Sequence, residues 1–175
     1  MPVPRDPAAG RRPFPVDVRR LHELPTAALG TLVAESAAAG YRMLERLRRE
    51  WDDGRTRFDG PGEALLGVYD GPTLIAVGGL TADSYGGPNG GDPRVGRLRH
   101  VYVRAASRRR GVGRALVRAL EVRAAGRFDA LVLRTDTAAA AAFYEALGYR
   151  RLPAGGTATH RRSLGGTRDG GGPAR

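Results

Sequence analysis

The sequence predicts an α/β domain, and three stretches predict it. Residues 97–125 read as strand, basic glycine turn and helix. Residues 129–147 repeat the change from strand to helix, with a hydroxyl-rich cap between. Residues 64–81 read as two strands joined by Asp70-Gly71-Pro72, which is hairpin-turn chemistry.

Taken in order, residues 1–13 are rich in Pro, Ala and Arg and are expected to be a disordered tail. Residues 14–21 read as a first strand, with Val16 and Val18 alternating. Pro25 is expected at the first position of a helix. Ala27, Leu29, Leu32, Val33 and Ala37 carry helical spacing up to Gly40, although Gly30 weakens it. Residues 41–52 read as a second helix. Met43, Leu44 and Leu47 form its apolar face, and Arg42, Glu45, Arg46 and Arg49 its wet one. Trp51, near its end, reads as a core or lid anchor more than a substrate contact. Asp53-Gly54 and residues 59–62 are turns. Residues 64–69 and 73–81 are the hairpin strands, and the Gly78-Gly79 pair suits a bulge or a close backbone contact. Residues 82–96 are too rich in Gly, Pro, Asp and Asn for core and read as a loop.

In residues 97–103, Leu98 and Tyr102 alternate with Arg97, Arg99, Val101 and Val103. Residues 105–110 break that pattern, and Gly111 and Gly113 supply a turn able to take positive φ. From Arg114 the period becomes helical. Leu116, Val117, Leu120 and Ala124 make one stripe; Arg114, Arg118, Glu121 and Arg123 lie outside it; Gly126 stops the helix. Residues 129–135 read as a strand. Thr135, Asp136 and Thr137 are all possible N-caps for a helix over 138–147, ended by Gly148. Residues 149–152 and 158–164 supply two last strands around a turn at 153–156, and residues 165–175 are expected to be a second disordered tail. The expected organisation is thus one domain over residues 14–164.

Composition bounds the function. At 175 residues, one domain with a real core is expected. Hydrophobic residues make up 41% and charged residues 27%, ordinary for a globular protein. There is no cysteine, which excludes disulfides, thiolate zinc sites and a cysteine nucleophile. No metal is expected. No apolar run approaches membrane-spanning length, and the N-terminal segment lacks the apolar core of a signal peptide, so the cytoplasm is the expected location. The net charge is +11, and all 29 basic residues are Arg. A chain without Lys points to genomic base composition as one source of the excess. Its distribution is more telling. Between Arg94 and Arg127 stand 11 Arg and a single acid, Glu121, so nearly all the net charge is focused there.

That focus has a chemical meaning. The first amides of a helix have no partner within it and carry the positive end of the helix dipole. Glycines before them let a phosphate approach the backbone. Arg108, Arg109, Arg110 and Arg114 add charge at the same mouth, so the stretch reads as a phosphate or diphosphate cradle. A P-loop would need Gly-Lys-Ser/Thr, and the chain has no Lys. A dinucleotide fingerprint would need a third glycine where Leu116 stands.

Arg108-Arg109-Arg110-Gly111-Val112-Gly113 resembles the coenzyme A loop of the GNAT superfamily of N-acetyltransferases, and Phe143-Tyr144-Glu145-Ala146-Leu147-Gly148-Tyr149 is similar to that family's second signature. The resemblance covers residues 14–164 and is specific from Arg97 to Tyr149. It implies a GNAT fold: a mixed, mostly antiparallel twisted central sheet of about six to seven strands flanked by about four helices. It implies acetyl-CoA as co-substrate and acetyl transfer to a primary amine, of a small molecule or an N-terminus, by direct attack on the thioester. Backbone amides near Val101, Tyr102 and Val103 would bind the pantetheine arm and polarise the carbonyl. Amides from Arg109 to Arg114, Val112 among them, would bind the diphosphate. Thr137 stands where the family often has a cofactor-contacting Asn; it keeps a hydroxyl but loses the amide.

Tyr144 matches the tyrosine that family members place near the cofactor sulfur, and a phenol with a pKa of about 10 can serve as general acid. The base is less defined. Many members carry Glu or His on the face occupied here by Arg97 and Arg99, and arginine cannot be a base. His100 is a candidate but faces away from them if strand alternation holds. His22, His160, Glu63 and Asp83 have weaker claims. Arg97 and Arg99 are candidate acceptor-binding residues; free, they would favour an acceptor carrying an acidic group, and paired with nearby acids they would not. Two alternatives remain: a non-catalytic acyl-CoA-binding domain, suggested by the missing base, and an Arg-rich nucleic-acid binder, which lacks interleaved aromatics on the basic stretch. The expected partner is a small-molecule amine, with no membrane, and the chain is expected to be a monomer or homodimer.

Overall fold

Alternating apolar runs and glycine-bounded helices give the chain β1 (Asp17–Arg20), α1 (Thr26–Ala38), α2 (Met43–Asp52), β2 (Ala64–Asp70), β3 (Thr73–Ala82), β4 (Val95–Val103), α3 (Val112–Ala124), β5 (Ala130–Leu133), α4 (Ala138–Ala146), β6 (Arg150–Arg151) and β7 (His160–Ser163). A computed structural model describes residues 16–85 and 91–165. The strands form one seven-stranded sheet in the order β1-β2-β3-β4-β5-β7-β6. All neighbours are antiparallel except β4 and β5, which α3 connects in parallel, as a helical crossover requires. The expected mixed, mostly antiparallel sheet with four helices is what the chain forms.

Both faces of the sheet are covered, so β3 is buried continuously from Leu74 to Thr81 instead of alternating. One core holds Leu66, Val68, Leu80 and Leu98 against Leu116 and Leu120 of α3, with Tyr144 and Leu147 at the other end. The second packs Leu29 and Leu32 of α1 and Leu44 and Leu47 of α2 on Leu65, Val77 and Tyr102. Each fully buried leucine contributes about 1.5–3 kcal/mol.

Two irregularities in β4 shape everything that follows. Its parallel pairing with β5 covers Val95–Ala130, Gly96–Leu131 and Arg97–Val132 and stops there, although β4 runs on to Val103. Against β3, the single residue Gly78 faces both His100 and Val101, and His100 takes φ 56°. This is the bulge expected at Gly78-Gly79, with its extra residue on the partner strand. Glycine is needed here for space too. A Cβ on Gly79 would stand 2.3 Å from Phe58 Cε1.

Several boundaries differ from the sequence reading. Pro25 is the N-cap of α1, with φ −73° and ψ 79°, and Thr26 is the first helical residue. α2 starts at Met43, not at 41. β4 starts two residues inside the expected loop, because Val95 and Gly96 pair with β5. α3 opens at Val112, two residues before the predicted start. Glu121 is buried, not wet: the far edge of the sheet covers its side of α3, and it accepts from Arg162 Nη1 (2.8 Å) and Tyr149 Oη (3.1 Å). β5 and the two last strands are shorter than expected. The expected N-terminal tail, Phe14, residues 86–90 of the loop and residues 166–175 lie outside the described residues.

Candidate active site

Where β4 and β5 part, the sheet opens into a cleft of about 1340 Å³. This exceeds the several hundred Å³ of a site for one small ligand. Beyond Arg97, the edge of β4 that faced β5 has lost its strand partner, so backbone groups of residues 98–103 are left on an open strand edge beside the cleft. The N-terminus of α3 closes one end, α4 one wall, and α2 with Tyr85 the other end.

At the α3 end, the chain leaves β4 through a short 3₁₀ turn, Ala105–Ser107, and turns twice through left-handed backbone: Arg109 at φ 58° and Gly111 at φ 83°. Gly111 is the N-cap, and the first bond of α3 runs from Ala115 N–H to Gly111 O (2.9 Å). The amides of Val112, Gly113 and Arg114 therefore have no acceptor within the helix. Gly111 is exposed, and a Cβ built on it meets nothing within 4 Å, so the space before these amides is open. Gly113 also has a packing purpose. Its Cβ would stand 3.3 Å from Phe143 Cζ and 3.4 Å from Val103 Cγ2, so glycine lets α3 begin tight against β4 and α4.

The side chains around this cradle divide. Arg109 and Arg114 are exposed and line the cleft. Arg108 lines it too, but its Nε donates to Val103 O (2.9 Å) and its guanidinium lies 5.4 Å over the Tyr102 ring. Arg110 is exposed outside the lining, and the Val112 side chain is in the core, leaving only its amide for a ligand. Thr137 caps α4 by accepting from Ala140 N (3.2 Å) and lines the cleft. Tyr144, on the inner face of α4, is buried, and burial holds its phenol well above the ordinary range. Phe143 and Tyr149 meet its ring edge-on.

The opposite end is built from paired charges. Arg97 Nε donates to Asp83 Oδ1 (2.7 Å) and its Nη1 to Thr157 O (3.1 Å). Arg99 Nη2 donates to Glu50 Oε2 (3.1 Å) on α2. The Tyr85 ring lies over both guanidinium groups, at 4.9 and 5.9 Å. The two arginines do line the cleft, but each arrives with its charge already matched.

His100 does not face away from Arg99. The bulge breaks alternation, and both side chains reach α2: Nδ1 donates to Met43 O (2.8 Å), while Nε2 stands 3.6 Å from Glu50 Oε2 without a hydrogen-bond partner. Burial, helped by the charges of Arg99 and Arg46, lowers its pKa to about 3, so the imidazole is neutral at pH 7. The other basic candidates are engaged elsewhere. Asp83 holds Arg97. Glu63 accepts from Ala82 N (2.8 Å) and Gly60 N (3.3 Å). His160 is buried between Thr159 and Glu145 outside the cleft lining. His22 borders a separate cavity of about 130 Å³.

Sequence reasoning missed Glu50, Glu35 and Tyr85. Glu35 on α1 accepts from Tyr102 Oη (2.9 Å) and Ala105 N (2.7 Å), tying α1 to the end of β4. Only the topology brings these acids to β4; nothing in their local pattern distinguishes them from solvated helix charges. Among the described residues, no helix is long and apolar enough to cross a membrane, and no group of three His, Asp or Glu side chains could hold a metal ion.

A cleft that runs between splayed strands and ends on open amides and guanidinium groups suits a long anionic ligand. The chain belongs to the acetyltransferase (GNAT) family, whose model matches residues 27–149 and whose members use acetyl-CoA. It is 32% identical over 150 residues to a mycothiol acetyltransferase of Clavibacter sepedonicus, covering 86% of this chain and 44% of that one. The chain thus spans less than half the length of the curated relatives it matches. A crystal structure from Exiguobacterium sp. 255-15, described as an acetyltransferase, shares 28% identity and superposes with a TM-score of 0.73, over 86% of this chain and 94% of that one. A GNAT family acetyltransferase from Brucella melitensis in complex with acetyl-CoA has the same fold at 16% identity and a TM-score of 0.60, over 86% and 89% of the two chains.

Proposed function

We propose that this chain transfers the acetyl group of acetyl-CoA to the primary amine of a small molecule, with a protein N-terminus as the wider possibility, by direct attack of the amine on the thioester. The observation that carries this reading is the open β4–β5 edge leading to the free amides at the start of α3. The residues suit acetyl-CoA: the amides of Val112, Gly113 and Arg114, with Arg109 and Arg114, would hold its diphosphate, and the open edge of β4 its pantetheine arm. When bound, acetyl-CoA supplies an activated acetyl carbon.

The protein's own groups then have three tasks. An N–H on the free edge of β4 meets the negative charge that develops on the carbonyl oxygen. Tyr144 holds a proton at its hydroxyl for the departing sulfur as the new C–N bond forms and the C–S bond breaks; burial keeps that proton in place at every working pH. Removing the amine's proton needs no strong base. A free alkyl ammonium has a pKa of about 10, but a cleft with several arginines and a half-buried interior disfavours the charged form. The amine binds neutral, and once the C–N bond has formed its nitrogen gives up one proton through water, which restores the hydroxyl of Tyr144. His100, neutral and buried, is too weakly basic to retain a proton from an ammonium, and its work is to hold β4 to α2 through the Met43 carbonyl.

The test is calorimetric titration with acetyl-CoA, followed by thiol release across an amine panel. The reading expects saturable binding and thiol release with at least one small amine. Binding with no release from any amine favours a non-catalytic acyl-CoA-binding domain. No acetyl-CoA binding at all, with salt-steep binding of nucleic acid, overturns the reading.

A further inference from the structure

The acceptor end of the cleft has an uneven charge balance. Arg97 is matched by Asp83, Arg99 by Glu50, and Arg42 by Glu45 at 2.9 Å. Arg46, one turn along α2 from Arg42, lines the same end. It is exposed, and its side chain makes no hydrogen bond or ion pair with any described residue. Residues 86–90, Gly-Gly-Pro-Asn-Gly, contain no acid that could pair with it. Nor does the lining offer an anion. Its only carboxylate is Asp136, at the α4 side and 3.5 Å from Arg134. Among the described residues, the acceptor end therefore presents one unmatched positive charge and no unmatched negative one.

Its walls are also unusual. Three large apolar residues are exposed among the described ones: Tyr41, Tyr85 and Val122. Two of them, Tyr41 and Tyr85, line this cleft. Tyr85 is held flat by the guanidinium groups beneath it, and Tyr41 meets Tyr102 edge-on with ring centroids 6.5 Å apart. Half-exposed tyrosines at the mouth of a site suit a ligand with an apolar or aromatic body.

We propose that Arg46 is the specificity-determining residue of the acceptor site, binding a carboxylate or phosphate on a small primary amine whose apolar body packs on the tyrosine-lined wall of the cleft. This rests on the acetyltransferase reading above and names its acceptor class. A guanidinium donates two parallel bonds to a carboxylate or phosphate, and a partly exposed pair of this kind is worth about tenfold in affinity. Polycations are disfavoured for the same reason: nothing at this end would match their second charge. Arg97 and Arg99, already paired, set the floor on which Tyr85 rests.

The experiment compares phenylalanine with phenethylamine, and 3-aminopropyl phosphate with 3-aminopropanol, in the thiol-release assay with saturating acetyl-CoA. Each pair differs only in the anionic group. Wild type is expected to favour the anionic member by about tenfold in kcat/KM, mostly through KM. Arg46→Gln should bring that ratio near one, and Arg46→Glu should invert it. Arg48→Gln, a neighbouring exposed arginine outside the cleft lining, should leave the ratio unchanged. A readout independent of turnover is competition by N-acetylphenylalanine against N-acetylphenethylamine for the acetyl-CoA-free protein, with the same ranking and the same response to Arg46. Wild type preferring the uncharged member, or Arg46→Gln keeping the preference, overturns the proposal while leaving the acetyltransferase reading intact. Thiol release with no amine, and no preference in the competition, defeats both.

Discussion

The two ends of the cleft use arginine in opposite ways. At the α3 end, the first amides of the helix are left without an acceptor within it, and Arg109 and Arg114 stand exposed beside them. At the α2 end, Arg97 and Arg99 are nearly buried and each is tied to a carboxylate from another element. The difference teaches that a basic segment is not one site. Its charge is available for a ligand where the sequence has no acids nearby in space, and is consumed by the fold where it does.

The largest expected effect breaks the comparison at its chemical centre. Tyr144→Phe removes the only phenol on the inner face of α4 and should lower kcat by ten- to a hundredfold, with acetyl-CoA affinity within about twofold. Stopped turnover assays beside calorimetric titration measure both; an unchanged kcat removes the acid role. Next, Gly111→Val puts a β-branched residue at φ 83° and a side chain into the open cradle. Left-handed backbone costs such a residue about 1–2 kcal/mol, and acetyl-CoA affinity should fall at least tenfold. At the other end, Glu50→Gln leaves Arg99 unmatched in a nearly buried setting. Thermal stability should drop by about 1–3 kcal/mol, with acetyl-CoA affinity little changed.

A pH series sharpens the role of His100. Its folded pKa, about 3, lies below its unfolded value of 6.5. The unfolded chain therefore binds the extra proton between those limits, and stability falls as pH drops from 6.5 toward 3, by at most about 1.4 kcal/mol per unit. His100→Asn, which tolerates positive φ, should flatten that slope in melting curves while leaving the pH–rate profile of acetyl transfer in place. A profile that loses its limb in the variant would restore His100 as the base. The smallest effect is expected from Arg42→Ala, whose pair with Glu45 is exposed; the melting temperature should shift by less than a degree or two.

The cofactor end was legible because its signals are local. Gly111 with its helix follows from short-range periodicity and turn chemistry, the cap of α4 was narrowed to Thr135, Asp136 or Thr137, and Tyr144 was singled out by the family resemblance. The bulge was half legible: Gly78-Gly79 announced an irregularity, but the positive φ fell on His100 of the partner strand and not on either glycine, and with it the expected facing of His100 was lost. The packing purpose of Gly113 was not legible: its missing Cβ also makes room for Phe143 and Val103. The acceptor end was illegible because it is assembled from distant elements. Glu50 lies 49 residues from Arg99, and Asp83 sits in a stretch whose composition says only loop.

The most direct test of the account is an amide-resolved titration of the ¹⁵N-labelled protein with acetyl-CoA. The account predicts that the largest shifts fall on Gly111, Val112, Gly113 and Arg114, with a second group along residues 98–103 of β4. Saturable binding that leaves those amides unmoved, with the shifts centred elsewhere, would contradict it.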